Sequence, residues 1–335
     1  RARIVDAHEE AVNRYERALA ILEAKSAYEE AARISTKLGL THQNAFDHKR
    51  ARQAFDRGFA LWRKAEVQLD TTALPAAPHA FRVARDEPLT LDPTLAYEHA
   101  SIWVIECLYS GLAQRGRDYE VVPDVAKSWQ VSEDGHIYVF TLRDDVHWSD
   151  GVPVTAGDFE YAWKRRLSAT REPVAAALLD IKNARAFRRG ELSDPGQIGV
   201  RSSNEHTLIV ELEQPAGYFL QLMAAADTFP VPRHLVAAWG EHWSAPPTIA
   251  TNGPFLLQTW QPGEKLLMVR NSHFHGRVMG NVTEVEVNFG VDWPASVAMY
   301  EADRLDYLEI ALLNAASAAG ELLDAVRVRQ RHSAE

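Results

Sequence analysis

The stretch Trp148–Phe159 reads WSDGVPVTAGDF and decides the fold, because it joins a tight turn to a capped helix. Ser-Asp-Gly is turn chemistry, and Gly151 is free to take a positive φ there. Thr155 is followed three residues later by Asp158, which is the pattern of a capping box with an acid at the favoured helix N-terminus. The stretch therefore predicts the end of a strand, a turn and the start of a helix.

Motifs of the same kind recur in a fixed order on both sides of this stretch. Each combines a turn residue with a short apolar run. Those upstream are Leu91–Pro93 (LDP), Leu108–Leu112 (LYSGL), Val122–Trp129 (VPDVAKSW) and Val131–Arg143 (VSEDGHIYVFTLR). Those downstream are Glu205–Leu212 (EHTLIVEL), Pro230–Pro232 (PVP), Asn252–Phe255 (NGPF) and Ala302–Asp306 (ADRLD).

Local patterns predict individual elements. Alternation with a period of two predicts strands at Ile137–Leu142 and Thr207–Leu212, and a further strand is expected at Ala80–Ala84. Apolar spacing predicts helices over three ranges, which are Ile102–Leu112, Ala156–Leu167 and Pro173–Arg189. The tryptophans within the motifs are expected to pack in the core, and these are Trp129, Trp148 and Trp163.

In this order, the motifs from Phe81 to Asp306 resemble the extracytoplasmic solute-binding proteins (family 5) of oligopeptide and dipeptide ABC importers. The resemblance implies an α/β fold with mixed sheets (α+β), similar to one lobe of a type II periplasmic binding protein, over residues 80–310. In that family the chain continues into a second lobe, which carries the carboxylate that binds the ammonium group of the ligand. Residues 307–335 do not match that lobe, so the resemblance implies an incomplete fold with half of a binding cleft.

The resemblance also implies where a ligand would bind. In the family, an extended peptide lies between two lobes and pairs its backbone with strand segments of the protein. The matching strand segment contains Tyr97, Glu98 and His99, and the matching turn at the cleft edge contains Asn252, Gly253, Pro254 and Phe255. The alternative is that both segments are purely structural loops.

Residues 1–70 contain a different pattern, which predicts helices and an internal repeat with an offset of 40 residues. The repeat relates Ala11, Tyr15, Ala18 and Ile21 to Ala51, Phe55, Gly58 and Leu61. Small residues at fixed positions let paired helices approach closely, and in this respect the segment resembles tetratricopeptide repeats, which commonly contact other proteins. Residues 71–79 are expected to be a linker, and residues 311–335 a truncated helical tail.

The composition excludes some classes of partner. The formal net charge of −10 disfavours binding to nucleic acid or to an anionic membrane surface. The single cysteine, Cys107, is expected to pack in the core. Residues 1–30 lack the apolar segment of a signal peptide. The resemblance implies an extracytoplasmic location, and the missing signal segment leaves a cytoplasmic one open.

Motifs for catalysis, for cofactors and for metals are absent from the sequence. There is no Gly-x-Ser-x-Gly elbow, no phosphate-binding glycine loop, no His-Glu-x-x-His helix and no Cys-x-x-Cys pair. His273 and His275 could face the same side of a strand, but no neighbouring ligand completes a metal site. The sequence therefore predicts a protein that is not an enzyme and that needs no cofactor or metal.

Three functional hypotheses remain open. The first is a peptide-binding component that captures an extended peptide for import by an ABC permease. The second is a cytoplasmic regulatory or sensor protein, which reuses the solute-binding fold and contacts a protein partner through its helical repeats. The third is a fragment without binding activity, because a fold alone does not establish function.

Overall fold

The computed structural model describes residues 2–69, 79–116, 120–169, 176–276 and 281–308. Its strands are β1 (His79–Ala84), β2 (Ala113–Arg115), β3 (Val121–Pro123), β4 (Ala126–Val131), β5 (Ile137–Leu142), β6 (Val200–Asn204), β7 (Thr207–Glu211), β8 (Phe255–Gln261), β9 (Lys265–Arg270) and β10 (Val282–Asn288). Its α-helices are α1 (Ala2–Ala24), α2 (Tyr28–Asn44), α3 (His48–Leu69), α4 (His99–Leu108), α5 (Ala156–Ser168), α6 (Ala176–Leu179), α7 (Ala184–Arg188), α8 (Phe219–Leu222), α9 (Arg233–Trp239) and α10 (Trp293–Glu301). The predicted tail and residues 71–78 of the predicted linker lie outside the described residues.

The first three helices form the N-terminal helical segment, residues 2–69, as the sequence predicts. The ring of Phe55 on α3 lies against Gly39 on α2, where a Cβ atom would come within 2.5 Å of the ring. Only glycine allows the two helices to approach so closely. The repeat symmetry is incomplete, because Ile21 is 57% exposed whereas its counterpart Leu61 is 3% exposed. Membership of the tetratricopeptide class stays a prediction.

The rest of the described chain, from residue 79 onward, is called the lobe here, and it contains two four-stranded sheets. The first has the strand order β1-β10-β9-β8, with β1 parallel to β10 and the other pairs antiparallel. The second has the order β4-β5-β7-β6 and is antiparallel throughout. Strands β2 and β3 form a separate hairpin. This is the mixed α/β architecture that the sequence predicts.

The stretch that decides the fold has the predicted conformation. Gly151 has a φ of 89°, and its N–H donates to the carbonyl of Trp148 at 2.9 Å. The carboxylate of Asp158 accepts hydrogen bonds from the backbone N–H of Thr155 at 2.8 Å and from its hydroxyl at 3.0 Å. Helix α5 then continues to Ser168. The capping box is thus confirmed.

The other local predictions have mixed outcomes. Strand β5 matches its prediction, β7 ends one residue earlier and β1 begins one residue earlier. The continuous helix predicted over Pro173–Arg189 is wrong, because the described part contains two short helices. Between them, Ile181 forms a β-bridge with Leu212, and the backbone N–H of Lys182 donates to the carbonyl of Glu211 at 2.9 Å. The backbone there pairs with the end of a strand and is therefore unavailable for helical hydrogen bonds.

The helical segment and the lobe share one hydrophobic core. Trp129 lies on β4, which is an edge strand of the second sheet, and is 1% exposed. The rings of Phe55 and Phe59 contact it edge-on, with centroid distances of 5.7 and 4.8 Å. The amide of Gln43 on α2 donates to the hydroxyl of Tyr138 on β5 at 2.6 Å. The helices therefore pack on one face of the sheet, across β4 and β5.

A buried carboxylate joins three distant parts of the lobe. Asp92, from the LDP motif, is 1% exposed. One of its oxygens accepts hydrogen bonds from the guanidinium of Arg165 on α5 at 2.7 Å and from the indole N–H of Trp243 at 3.0 Å. The other accepts from the backbone N–H of Thr94 at 2.9 Å. Asp92 therefore fixes the path of the chain just before α4.

We expect Phe59→Ala to lower the free energy of unfolding by about 3–5 kcal/mol, because the change leaves a cavity beside Trp129. Denaturant unfolding followed by circular dichroism and by tryptophan fluorescence will measure the loss. Ile21→Ala is the matched control on the same helical segment, and its effect should stay within about 0.5 kcal/mol because Ile21 is exposed. If Phe59→Ala has no larger effect than this control, the helical segment and the lobe do not share a core.

Candidate functional site

Helix α4 organises the candidate site, and Glu98 fixes where the helix begins. The carboxylate of Glu98 caps α4 by accepting the N–H of Ser101 at 2.8 Å, and it also accepts the N–H of Leu89 at 3.2 Å. Partial burial acts to raise the pKa of Glu98, but the hydrogen bonds from Ser101 and Leu89 outweigh it and lower the pKa below its ordinary value. The cap is therefore a charged carboxylate at the positive end of the helix.

The structure corrects the strand predicted for the segment containing Tyr97, Glu98 and His99. Tyr97 lies in an irregular stretch with its ring half exposed, Glu98 is the cap, and His99 is the first residue of α4. The carboxylate of Glu98 accepts the backbone N–H of Ser101, so the backbone begins a helix at this point instead of continuing as a strand. A role for these three residues in ligand binding stays a prediction.

The second predicted segment lies at the opposite end of α4. The side chain of Asn252 is buried and pairs with the backbone of Ser110, accepting its N–H at 3.0 Å and donating to its carbonyl at 3.1 Å. The N–H of Gly253 donates to the carbonyl of Leu108 at 2.8 Å. A Cβ atom at Gly253 would collide with the backbone of Leu108. The turn therefore clamps the end of the helix and its position requires glycine.

A pocket of about 490 Å³ opens beside this end of α4. Its apolar wall is formed by Tyr109, Ala224, Phe229, Pro254, Phe255 and Phe274. Its polar wall is formed by Glu106, Ser110, Gln114, Arg115, Gly116 and Asp124. A cleft of this size, with aromatic faces and a few polar groups, is typical of sites for small organic ligands.

The polar wall contains two side chains of opposite charge, Arg115 and Glu106. A guanidinium nitrogen of Arg115 lies 3.8 Å from a carboxylate oxygen of Glu106. The side chain of Glu106 is 43% exposed, and partial desolvation raises its pKa, an effect that exceeds the opposing influence of Arg115 and His99. At this long distance both groups keep hydrogen-bonding capacity for a polar ligand group.

Asp124 of the polar wall pairs with a buried histidine. Nε2 of His275 is 2.7 Å from Oδ1 of Asp124, and the two side chains are 3% and 5% exposed. His273 is exposed, so the two histidines considered as metal ligands point into different surroundings. No group of three or more His, Cys, Asp or Glu residues within the described ranges could hold a metal ion.

The predicted site residues thus fall into two groups. Pro254 and Phe255 line the pocket, whereas Asn252 and Gly253 lie beneath it and support the turn. The sequence did not predict several residues that line the pocket, which are Glu106, Arg115, Asp124, Phe229 and Phe274. It also did not predict His275, which pairs with Asp124. Asp124 lies in the VPDVAKSW motif directly after Pro123, and this position was the available signal.

Comparison with known proteins identifies the class. The family described as bacterial extracellular solute-binding proteins, family 5 Middle, matches residues 120–331. The periplasmic murein peptide-binding protein MppA of Escherichia coli is 37% identical over 244 residues, covering 71% of this chain and 44% of that protein. The dipeptide-binding protein DppE of Bacillus subtilis is 30% identical over 222 residues, covering 66% of this chain and 41% of that protein.

Solved structures agree with the sequence relatives. The murein tripeptide binding protein MppA of Escherichia coli has a TM-score of 0.65 at 35% identity, covering 70% of this chain and 46% of that chain. OppA of Haemophilus influenzae, in complex with RPPGFSPFR, has a TM-score of 0.67 at 26% identity, covering 74% of this chain and 49% of that chain. The chain belongs to the bacterial extracellular solute-binding proteins of family 5. It spans less than half the length of the curated relatives it matches.

Asn252→Ala should lower the free energy of unfolding by about 2–4 kcal/mol, because it leaves the buried N–H and carbonyl of Ser110 without these partners. Thermal and denaturant melts will measure the change. Asn13→Ala, on the exposed face of α1, is the control and should be neutral or slightly stabilising, since alanine favours a helix. Equal melts for the two variants would contradict the clamping role of Asn252.

Glu106→Gln should stabilise the protein at neutral pH, because the folded state disfavours the charged form of Glu106. The folded pKa is raised above the ordinary value of 4.5, so stability rises as the pH falls through the folded pKa. The gain from Glu106→Gln should therefore disappear once the pH is below the ordinary value, where the carboxyl group is protonated in both states. Melting temperatures from pH 7 to pH 4 will test this, with the exposed Glu133→Gln as the control for loss of one charge. A gain that persists at pH 4 would contradict it.

Proposed function

We propose that this chain is the peptide-binding part of a receptor that delivers extended peptides to an ABC importer, and that it has no catalytic activity. The observation that supports this most strongly is the pocket beside the clamped end of α4 in a chain that belongs to family 5. Relatives are named for binding murein peptides, dipeptides and oligopeptides. The ligand class comes from these relatives and from the chemistry of the pocket.

The geometry of α4 supports an extended ligand. The two predicted binding segments lie at opposite ends of this helix, and nine steps of 1.5 Å place them about 14 Å apart along its axis. An extended chain rises about 3.3 Å per residue, so a peptide of about four residues would reach from Tyr97 to the pocket. Its backbone would pair with the irregular stretch at Tyr97, and one side chain would enter the pocket.

The pocket walls support tolerance of different side chains. Rigid aromatic faces provide contact area at little cost in conformational entropy. Glu106 and Arg115 offer one acceptor and one donor group to polar side chains of either charge. Closure of a second lobe over this wall would exclude water and present the closed form to a permease, which is a hinge mechanism.

The proposed location is extracytoplasmic, since relatives are described as periplasmic. Helices long and apolar enough to cross a membrane are absent from the described residues. The proposed partners are a peptide and a membrane permease. The helical segment could provide a surface for a further protein partner.

A second candidate function is a cytoplasmic sensor that reuses the solute-binding fold. The observation that favours it is the helical segment, which precedes the family match and packs on the lobe through Phe55 and Phe59. Such a segment would report ligand binding to another protein. Cell fractionation of the native protein separates the two candidates, because the importer requires an extracytoplasmic location and the sensor a cytoplasmic one.

Tetra-alanine should raise the melting temperature of the protein, both as this chain and as the full-length product of its gene. Tyr97→Pro should weaken its binding about tenfold or more in isothermal titration calorimetry, because proline removes a backbone donor. Tyr97→Ala keeps that donor and should bind within about threefold of the unchanged protein, since recognition uses the backbone.

Two outcomes would contradict this proposal. If neither form shows a thermal shift with tetra-alanine or with pooled di- to pentapeptides, the peptide-binding function is wrong. If peptides bind but Tyr97→Pro and Tyr97→Ala have equal effects, the placement of the paired backbone at Tyr97 is wrong. Thermal melts of both variants establish that each remains folded.

A further inference from the structure

An ion pair connects the helical segment to the polar wall of the pocket. Nη1 of Arg33 on α2 donates to the carboxylate of Glu120 at 2.8 Å, while Nη2 donates to Glu29 on the same helix at 2.9 Å. The side chain of Glu120 is fully buried, and that of Arg33 is 24% exposed. A buried carboxylate depends strongly on its charged partners, so the loss of one is costly.

Glu120 in turn lies against the hairpin that forms this wall. Its carbonyl accepts the N–H of Gly116 at 2.8 Å. Its carboxylate lies so close to Gly116 that a Cβ atom there would collide with it. Arg115 pairs with Val121 in the β2–β3 ladder, next to these contacts. The carboxylate of Glu120 therefore packs directly beneath the backbone that carries Arg115.

The same hairpin supplies much of the polar wall. Gln114 and Arg115 line the pocket from β2, Gly116 lines it just after β2, and Asp124 lines it just after β3. A shift of the hairpin would move Arg115 relative to Glu106, which lies on α4. The arrangement of the polar wall thus depends on a contact that begins on α2, outside the residues that match the family.

We propose that Arg33 is a positioning residue of the peptide pocket: through Glu120 it fixes the β2–β3 hairpin and so sets the place of Arg115 in the polar wall. The helical segment is then a working part of the binding site. This inference rests on the proposed function for its ligand, a peptide, and on the contacts of Arg33 and Glu120 for its mechanism. By linkage, a peptide that engages the polar wall changes the stability of the contact on α2.

The first test needs no ligand. Hydrogen exchange measured by mass spectrometry should show that Arg33→Met speeds exchange in the β2–β3 hairpin by about two- to thirtyfold, the range of typical coupling energies. Gly116→Ala displaces the carboxylate of Glu120 from the pocket side and should speed exchange in α2. Arg33→Lys keeps the charge and should restore part of the protection. Unchanged hairpin exchange in Arg33→Met overturns the inference.

A matched control separates positioning from a general loss of stability. Arg57 on α3 pairs with Glu23 on α1 at 2.7 Å and with Glu16 at 3.3 Å, and both partners lie within the helical segment. Arg57→Met therefore removes an arginine that, like Arg33, bridges two carboxylates, but it does not touch the hairpin. If Arg57→Met speeds hairpin exchange as much as Arg33→Met does, the effect is general destabilisation and the inference is overturned.

The second test uses tetra-alanine and Ala-Glu-Ala-Ala as probes in calorimetry. Arg33→Met should weaken the binding of Ala-Glu-Ala-Ala by about two- to thirtyfold and that of tetra-alanine less, because the proposal places the acidic side chain beside Arg115. Glu120→Gln should have the same effect, and the double variant should add little to it. Equal, unchanged affinities in Arg33→Met overturn the positioning role. If the unchanged protein binds neither probe and shows no thermal shift with the pooled di- to pentapeptides, the proposed function fails, and the exchange data alone decide whether Arg33 fixes the hairpin.

Discussion

The buried carboxylate of Asp92 is the interaction on which the lobe depends. It receives the charge of Arg165 from α5, the indole N–H of Trp243 and the backbone N–H of Thr94. A buried charge is tolerated only when its hydrogen bonds are satisfied, so these three parts of the chain must meet at one point. This contact fixes the path of the chain from Asp92 to Glu98, and the carboxylate of Glu98 then caps the start of α4. Two acidic residues thus set the helix that organises the site.

The other end of α4 shows how a rigid scaffold places a binding surface. Asn252 pairs with both backbone groups of Ser110, and Gly253 lies in direct contact with the end of the helix. These two residues do not line the pocket, but Pro254 and Phe255 follow them directly and do. Supporting residues and lining residues are therefore neighbours in sequence. This adjacency explains why the motif Asn252–Phe255 predicts the place of the pocket although only two of its residues line it.

The relation between the helical segment and the lobe is the unexpected feature. Sequence composition separates the two regions, and the family match includes only the second. The structure joins them through Trp129, whose ring packs against Phe55 and Phe59, and through the ion pair of Arg33 with the buried Glu120. The helical segment therefore covers part of one face of the sheet and reaches Glu120, whose carboxylate lies against Gly116 of the pocket wall.

The sequence by itself determined the local elements and the family. A capping box, a glycine turn and period-two strands depend on neighbouring residues, so Thr155, Asp158, Gly151 and β5 could be predicted. The failed helix after residue 173 shows the limit, because Ile181 pairs with a strand end that is distant in sequence. Only the tertiary structure brought Glu106, Arg115 and Asp124 together, and only it placed Arg33 beside Glu120. Those contacts arise from the packing of separate elements, and no local pattern specifies which charged side chains will meet.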